Sequence, residues 1–133
     1  MILSSVQLRN LRLHKNITIN FSDGINYIVG GNGQGKTTIL ESIYLLCTTK
    51  SNSSRSDSEL ISFNEKEFEI KGLFRDRTEN KIKVTYSLEE NKKNYFQDNK
   101  IINRAAEIIG KFPVVLLTPE DHSITQGSPS ERR

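Results

Sequence analysis

The sequence predicts an α/β fold in which a mixed sheet surrounds the helix of a phosphate-binding loop, and an antiparallel β-layer follows. Three observations support this prediction. A glycine-rich segment joins an apolar run to a helical pattern across residues 24–46. Two segments between residues 66 and 98 alternate apolar and polar side chains, as half-buried strands do. A strongly apolar run at residues 113–117 predicts one more buried strand.

The glycine-rich segment, residues 30–37, reads Gly-Gly-Asn-Gly-Gln-Gly-Lys-Thr. It matches G-x-x-x-x-G-K-S/T, the P-loop that binds the phosphates of ATP or GTP. Upstream, residues 24–29 form a short β-branched run that predicts a buried strand, and downstream, residues 38–46 carry apolar side chains at helical spacing. Strand, loop and helix in this order bring backbone N–H groups and the positive end of a helix dipole to phosphate oxygens.

Each residue type in the loop has a physical role. Glycines let the backbone curl tightly around the phosphates, because they tolerate positive φ and carry no side chain. Lys36 is expected to reach the β- and γ-phosphates, which makes it the candidate catalytic residue, and the Thr37 hydroxyl is expected to ligate Mg²⁺. The alternative is a glycine-rich turn in which Lys36 is merely solvated. The candidate phosphate-binding residues of the motif are Gly30, Gly31, Asn32, Gly33, Gln34, Gly35, Lys36 and Thr37.

Composition bounds the class of protein. The 133 residues amount to one domain, with 35% hydrophobic and 26% charged residues. A net charge of +3 permits nucleic-acid contact but is equally typical of an ordinary soluble surface. The single cysteine, Cys47, excludes an internal disulfide framework and is expected to pack in the core. No apolar stretch is long enough to cross a membrane, so we expect a cytoplasmic protein without membrane contact.

Alternating patterns predict the strands outside the P-loop. Val6 and Leu8 mark a first strand and residues 17–21 a second. After a serine-rich polar stretch at residues 48–58, residues 58–61 predict a short helical turn. Residues 68–74 and 82–88 then predict an antiparallel hairpin, and residues 94–97 a weaker third strand. Residues 104–111 predict a short helix that ends near Gly110.

An antiparallel layer placed between the P-loop helix and the next buried strand is typical of ATPases of the ABC and chromosome-maintenance (SMC) type. The sequence resembles the N-terminal part of the bacterial RecF family in particular. Residues 118–121 and 127–133 resemble the family's S-P-E-D and G-S-P-x-x-R-R motifs. These two motifs distinguish the RecF family from its relatives better than the P-loop does. The matching segments are residues 6–12, 21–26, 41–46, 57–61, 118–121 and 127–133.

The resemblance implies that residues 1–133 form the N-terminal lobe of an ABC/SMC-type ATPase head, with a helical arm starting at 128–133. It implies ATP with Mg²⁺ as the cofactor and adds two nucleotide contacts, Thr38 and Arg12, to the P-loop set. For Arg12, a solvated loop arginine is an equal alternative. The parent protein would be a slow DNA-dependent ATPase, cytoplasmic and associated with the nucleoid. It would bind duplex DNA at gap junctions as an ATP-dependent homodimer, with RecR and possibly RecO, and help to load RecA.

Two departures from the family pattern qualify this expectation. Many RecF sequences carry Ser-His-Arg in the loop after the P-loop helix, whereas residues 51–54 here read Ser-Asn-Ser-Ser. Since duplex DNA is held largely by neutralising its phosphates, this loop should bind DNA less strongly. Residues 118–121 fall where ABC-type proteins keep the glutamine of the Q-loop, but they include none. Asp121 would there hold a metal-bound water or, as the favoured alternative, cap a helix.

Hydrolysis in this class also requires an apolar strand ending in Asp-Glu and a signature of the L-S-G-G type, and the sequence contains neither. In RecF-like chains both lie in the C-terminal half, so we expect this chain alone to hydrolyse ATP poorly. The alternatives are the head of another SMC, RecN or ABC-type ATPase, and a P-loop GTPase or kinase. Against a GTPase, residues 91–94 lack the aspartate of the guanine-reading N-K-x-D motif.

Overall fold

The structure is a computed structural model that describes residues 1–31, 35–49, 57–104, 107–108 and 110–115. One helix, α1 (Lys36–Thr48), packs on one face of a six-stranded antiparallel sheet. The strands in chain order are β1 (Ile2–Leu11), β2 (His14–Asn20), β3 (Glu67–Arg75), β4 (Glu79–Ser87), β5 (Lys92–Gln97) and β6 (Lys100–Ile102). In the sheet they follow the order β2-β1-β3-β4-β5-β6, and a 3₁₀ helix (Asp57–Leu60) precedes β3.

The alternation of side chains explains why these segments are strands. Along β3 and β4 every second side chain is buried, as in the cross-strand pair of Ile70 and Val84. Because successive side chains point to opposite faces, one face of the sheet is apolar and the other is polar. From the helix, Leu45 and Leu46 are almost completely buried, so the core lies between α1 and the apolar face.

A close approach at Gly72 on β3 sets how α1 sits on the sheet. A Cβ atom at Gly72 would lie 2.8 Å from Cδ1 of Leu46 on the helix. The missing side chain therefore leaves the space that Leu46 fills. At the far end of the helix, the Tyr95 hydroxyl of β5 donates to the carbonyl of Thr49 at 2.5 Å, which holds the end of α1 against the sheet.

The structure confirms most of the predicted elements. The α/β class, the first two strands, the hairpin now seen as β3 and β4, the weaker strand now seen as β5, and the P-loop helix are all present. The short turn predicted at residues 58–61 is the 3₁₀ helix Asp57–Leu60. Cys47 is buried in the core, as expected from its position on α1.

The prediction of a buried strand at residues 24–29 is wrong. These residues form no regular secondary structure and have no strand partner, and Ile25, Tyr27 and Val29 are 79%, 83% and 85% exposed. Only Ile28 of this run packs against the core. A β-strand requires backbone hydrogen bonds to a neighbouring strand. No other segment in the described ranges pairs with residues 24–29. For the same reason the sheet as described is purely antiparallel rather than mixed.

The C-terminal predictions also need correction where the chain is described. The short helix predicted across residues 104–111 is not an α-helix where it is described: Glu107 N–H bonds to Arg104 O and Lys111 N–H to Ile108 O, each at 3.0 Å, and these are i to i+3 contacts of the 3₁₀ type. Val114 and Val115 are not in a strand, and Val115 is 89% exposed. The serine-rich residues 50–56, the segments 118–121 and 127–133, and Asp121 lie outside the described residues. No helix among the described residues is long and apolar enough to cross a membrane.

Candidate nucleotide-binding site

The start of α1 is arranged to accept an anion. Gly35, the N-cap, adopts a left-handed conformation with φ of 80°, and among the described residues no side chain caps the start of the helix. The first turn contains no acidic residue. Since the first N–H groups of a helix have no acceptor within it, this end of α1 offers donors and the positive end of the helix dipole together.

The side chain of Lys36 folds back over the loop, and its Nζ donates to the carbonyl of Gly30. This contact connects the two glycine-bearing ends of the motif across the residues between them. Thr37 is exposed, whereas Thr38 is buried against the core. The structure thus describes Gly30, Gly31, Gly35, Lys36, Thr37 and Thr38 of the predicted site, and Asn32, Gly33 and Gln34 lie outside the described residues.

The first residue of β2, His14, contacts the N-terminus of α1. His14 Nε2 lies 3.0 Å from the carbonyl oxygen of Gly35. Because a carbonyl only accepts, Nε2 carries the proton in this hydrogen bond. The same carbonyl accepts the helical N–H of Ile39 at 3.3 Å. The N-cap is therefore held from the sheet and from within the helix.

Arg12, in the turn between β1 and β2, reaches the second turn of α1. Its Nη2 lies 3.1 Å from Oε2 of Glu41, with the two side chains 21% and 12% exposed. The Arg12 backbone, at a φ of 50°, is fixed on both sides: its N–H donates to Leu60 O at 2.8 Å and its carbonyl accepts from Ser62 Oγ at 2.5 Å. Of the two alternatives that the sequence allowed for Arg12, the freely solvated loop arginine is therefore excluded.

Sequence reasoning proposed the P-loop and Arg12 as nucleotide contacts, but it did not predict the contacts that His14, Glu41 and Ser62 make with them. Nothing in the linear pattern marks these three residues as partners of the loop, since their contacts join segments far apart in the chain. The one available signal was the short connection at residues 10–15 between two alternating segments. A hairpin turn there places its residues at one end of the sheet, where the start of the packed helix also lies.

The arrangement is compatible with a phosphate-bound Mg²⁺. Among the described residues, no group of three or more His, Cys, Asp or Glu side chains could hold a metal ion. Mg²⁺ in phosphate sites takes one or two protein oxygens, with water and the phosphates completing its coordination. The exposed Thr37 hydroxyl can supply such an oxygen, next to the helix N-terminus that would hold the phosphates.

The fold and the site together define a lobe of an ABC/SMC-type ATPase, and the chain belongs to the AAA domain family, whose model matches residues 5–126. It is similar to the N-terminal part of RecF. Along its whole length it is 40% identical to the DNA replication and repair protein RecF of Chloroherpeton thalassium and 39% identical to that of Streptococcus gordonii. It spans 36% and 37% of the length of these two relatives.

Two solved structures of RecF have the same fold. The structure of the recombination mediator protein RecF-ATP in the RecFOR pathway matches 98% of this chain with a TM-score of 0.87 and 34% identity. The RecF-ATPrS structure matches 98% with a TM-score of 0.88 and 35% identity. In both cases the match takes up 35% of the other chain. The chain is therefore similar to about a third of each relative.

Proposed function

We propose that this chain is the ATP-binding lobe of a RecF-like protein of DNA replication and repair. The observation that carries the proposal is the start of α1, where the P-loop motif runs through a left-handed Gly35 into a helix without a side-chain cap among the described residues. Lys36 lies folded over Gly30 at the same place. The similarity to proteins described as RecF-ATP and RecF-ATPrS supports ATP as the nucleotide.

The described residues suggest how the lobe would hold Mg²⁺-ATP. Backbone N–H groups at the start of α1 would donate to the phosphates, and Lys36 would leave Gly30 to pair with the β- and γ-phosphates. Thr37 would offer its exposed hydroxyl to Mg²⁺, which neutralises charge on the phosphate oxygens. Thr38 is buried, so its contact would come through its backbone N–H. The rest of the set, Gly31, Asn32, Gly33 and Gln34, would complete the loop around the phosphates.

Arg12 would add a cation beside the nucleotide. Its backbone is fixed by Leu60 and Ser62, and its guanidinium is paired with Glu41 on the P-loop helix. A cation held in this way loses little conformational freedom when a phosphate approaches, because the structure has already restricted it. In this proposal Glu41 is a positioning residue and Arg12 a nucleotide-binding one.

For the parent protein we propose a cytoplasmic homodimer that closes around ATP and binds duplex DNA at gap junctions. It would act with RecR and possibly RecO to help load RecA. The description of the solved relatives as recombination mediators of the RecFOR pathway supports this setting. Nucleotide would act as a switch, because a γ-phosphate at the interface favours the closed dimer and its loss releases it. The chain alone should hydrolyse ATP poorly, since its sequence lacks the Asp-Glu strand and the signature motif.

Calorimetric titration of the chain with Mg²⁺-ATP and with Mg²⁺-GTP tests the ATP site. Lys36→Ala should abolish ATP binding, whereas Lys66→Ala, which removes an exposed lysine outside the loop, should leave it unchanged. ATP binding that survives Lys36→Ala would contradict a P-loop site. Equal binding of GTP and ATP would contradict the ATP assignment and favour a P-loop GTPase.

A further inference from the structure

The peptide group between Gly35 and Lys36 lies where the P-loop becomes α1, and two donors hold its carbonyl oxygen. The ring nitrogen Nε2 of His14 lies 3.0 Å from this oxygen, and the backbone N–H of Ile39 donates to it at 3.3 Å. A trans peptide group is planar, so its N–H points in the direction opposite to its C=O. The direction of the Gly35 carbonyl therefore determines the direction of the Lys36 N–H.

The Lys36 N–H is one of the donors at the N-terminus of α1. Lys36 is the first residue of the helix, and the first N–H groups of a helix have no acceptor within it. The Gly35 carbonyl points into the helix toward Ile39, so the Lys36 N–H points out of the helix end, where an anion is favoured. A reversed peptide group would present its partially negative oxygen to the phosphates instead. Phosphate binding therefore depends on the orientation of this one peptide group.

The backbone of Gly35 does not by itself fix this orientation. Gly35 has φ of 80° and ψ of 21°, and a glycine tolerates rotation of the next peptide group because it has no side chain to restrict it. The helical hydrogen bond from Ile39, at 3.3 Å, is longer than the usual distance of about 2.9–3.0 Å. The contact with His14 is the shorter of the two. Among the described residues, His14 is therefore the main restraint on the Gly35 carbonyl.

The His14 side chain is carried by the sheet and not by the loop that it contacts. His14 is the first residue of β2 and pairs with Leu11 of β1 across the turn. Its hydrogen bond to Gly35 is partly buried, which strengthens it relative to one in open water. Both the Nε2–H tautomer and the doubly protonated ring carry a proton on Nε2, so donation does not depend on the charge of the ring. The sheet thus provides a fixed donor for the start of α1.

We propose that His14 is a positioning residue of the phosphate site, which keeps the Lys36 N–H directed at a bound phosphate. This inference rests on the proposed function, since it deepens the role of the same P-loop. His14 acts through the Gly35 carbonyl and does not itself contact the phosphate. Its hydrogen bond also polarises the peptide group, which strengthens the N–H donor at the other end. The ligand class is a polyphosphate, irrespective of the base attached to it.

Calorimetric titration of the whole chain with magnesium tripolyphosphate and with Mg²⁺-ATP tests this role. His14→Phe keeps a flat ring against Gly35 but removes the donor. It should weaken binding of both ligands by about tenfold, the lower end of the contribution of a hydrogen bond to a charged group. His14→Gln restores a donor, because its amide nitrogen lies as many bonds from Cα as Nε2 of histidine does. It should keep affinities close to those of the parent chain.

Thr18→Val is the matched control on the same strand. Thr18 is exposed in the middle of β2, so the change should leave both affinities unaltered. Thermal melting monitored by circular dichroism identifies a temperature at which every variant is folded, and the titrations are performed there. A role in folding alone would lower the melting temperature without changing the affinity of the folded chain. Affinity that is lost in His14→Phe and restored in His14→Gln distinguishes positioning from folding.

The tautomer of His14 provides a readout that requires no ligand. In a long-range ¹H–¹⁵N NMR spectrum the neutral His14 ring should carry its proton on Nε2, and its signals are assigned by their absence in His14→Phe. On addition of tripolyphosphate, the Lys36 amide resonance should shift in the parent chain and shift less in His14→Phe. A ring protonated on Nδ1 alone would overturn the proposal, since that tautomer has no proton to donate to Gly35.

The two ligands separate failure of this inference from failure of the proposed function. Equal affinity of the parent chain and His14→Phe for tripolyphosphate would overturn the role of His14 alone. The same holds if His14→Gln binds as weakly as His14→Phe. If tripolyphosphate binding follows the expected pattern but ATP binds no more tightly than GTP, the ATP assignment fails and the role of His14 stands. A folded chain that binds neither ligand overturns both.

Discussion

The imidazole of His14 lies directly against Gly35, with Nε2 3.0 Å from the glycine carbonyl oxygen. A Cβ atom at Gly35 would come within 2.4 Å of the same nitrogen. Gly35 is therefore constrained twice, by its left-handed backbone and by the ring packed on it. This contact ties the start of β2 to the point where the P-loop becomes a helix.

Gly35→Ala should accordingly destabilise the fold and disrupt the loop. A non-glycine residue in the left-handed region costs about 1–2 kcal/mol, and the contact with His14 adds to that cost. Urea unfolding measures the change in stability, and calorimetry measures the expected loss of ATP affinity. Gly24→Ala is the matched control, because nothing lies within 4 Å of its Cβ position.

The double variant Gly35→Ala with His14→Ala separates the two causes. Removing the ring relieves the contact but not the backbone strain. The double variant should therefore regain part of the stability that Gly35→Ala loses. Strict additivity of the two single changes would contradict the contact between His14 and residue 35.

The Arg12–Glu41 ion pair should contribute to stability because both side chains are largely withdrawn from water. Glu41→Gln keeps the shape and removes the charge, and it should destabilise the chain by about 1–2 kcal/mol, below the cost of breaking a fully buried pair. It should also weaken ATP binding, since Arg12 loses its anchor on α1. Urea unfolding and calorimetry measure the two effects.

The ion pair of Arg75 and Asp23 provides the comparison. Its nitrogen–oxygen distance, 2.9 Å, is similar to the 3.1 Å of the Arg12–Glu41 pair, but its side chains are 52% and 67% exposed. Asp23→Asn should therefore change stability by about 0.5 kcal/mol or less. If Glu41→Gln and Asp23→Asn changed the free energy of unfolding equally, burial of the Arg12–Glu41 pair would not increase its contribution to stability.

Gly72→Ala should force α1 away from the sheet or displace Leu46. Overpacking of this kind costs about 1–3 kcal/mol, and Leu46→Ala alone costs about 2–5 kcal/mol through the cavity it leaves. Since the added methyl would occupy part of that cavity, the double variant should be more stable than the sum of the single changes predicts. Thermal unfolding of all four chains gives the coupling, and its absence would contradict the contact.

Burial of Cys47 on α1 predicts how stability depends on alkaline pH. Desolvation raises the pKa of this thiol from 9.0 to about 11. The unfolded chain therefore loses the proton first, so the contribution of Cys47 to stability is complete below pH 9.0 and declines until the pH passes about 11. The slope from one such group reaches about 1.4 kcal/mol per pH unit.

Comparison with Cys47→Ala isolates this contribution, since tyrosines and lysines titrate in the same range. The difference in unfolding free energy between the parent chain and the variant should shrink as the pH rises from 9 to 11. A difference that stays constant over this range would show that Cys47 is not buried as described.

The local pattern of the sequence was sufficient for the hairpin of β3 and β4 and for the P-loop helix. Two-residue alternation identifies a strand with one buried face, and the spacing of apolar residues after Lys36 identifies a helix, because both signals depend only on near neighbours. Residues 24–29 show where this reasoning stops. Their β-branched character is local, but a strand also requires a partner backbone, and no described segment provides one.

The sequence by itself determined the glycine-rich loop, its lysine and threonine, and the alternating strands. Only the tertiary structure decided that His14 contacts Gly35, that Arg12 pairs with Glu41, and that Lys71 lies opposite Lys83. These relationships depend on strand register and on the packing of α1 against the sheet. Register and packing follow from the summed burial of many side chains along the chain, so no short segment encodes them.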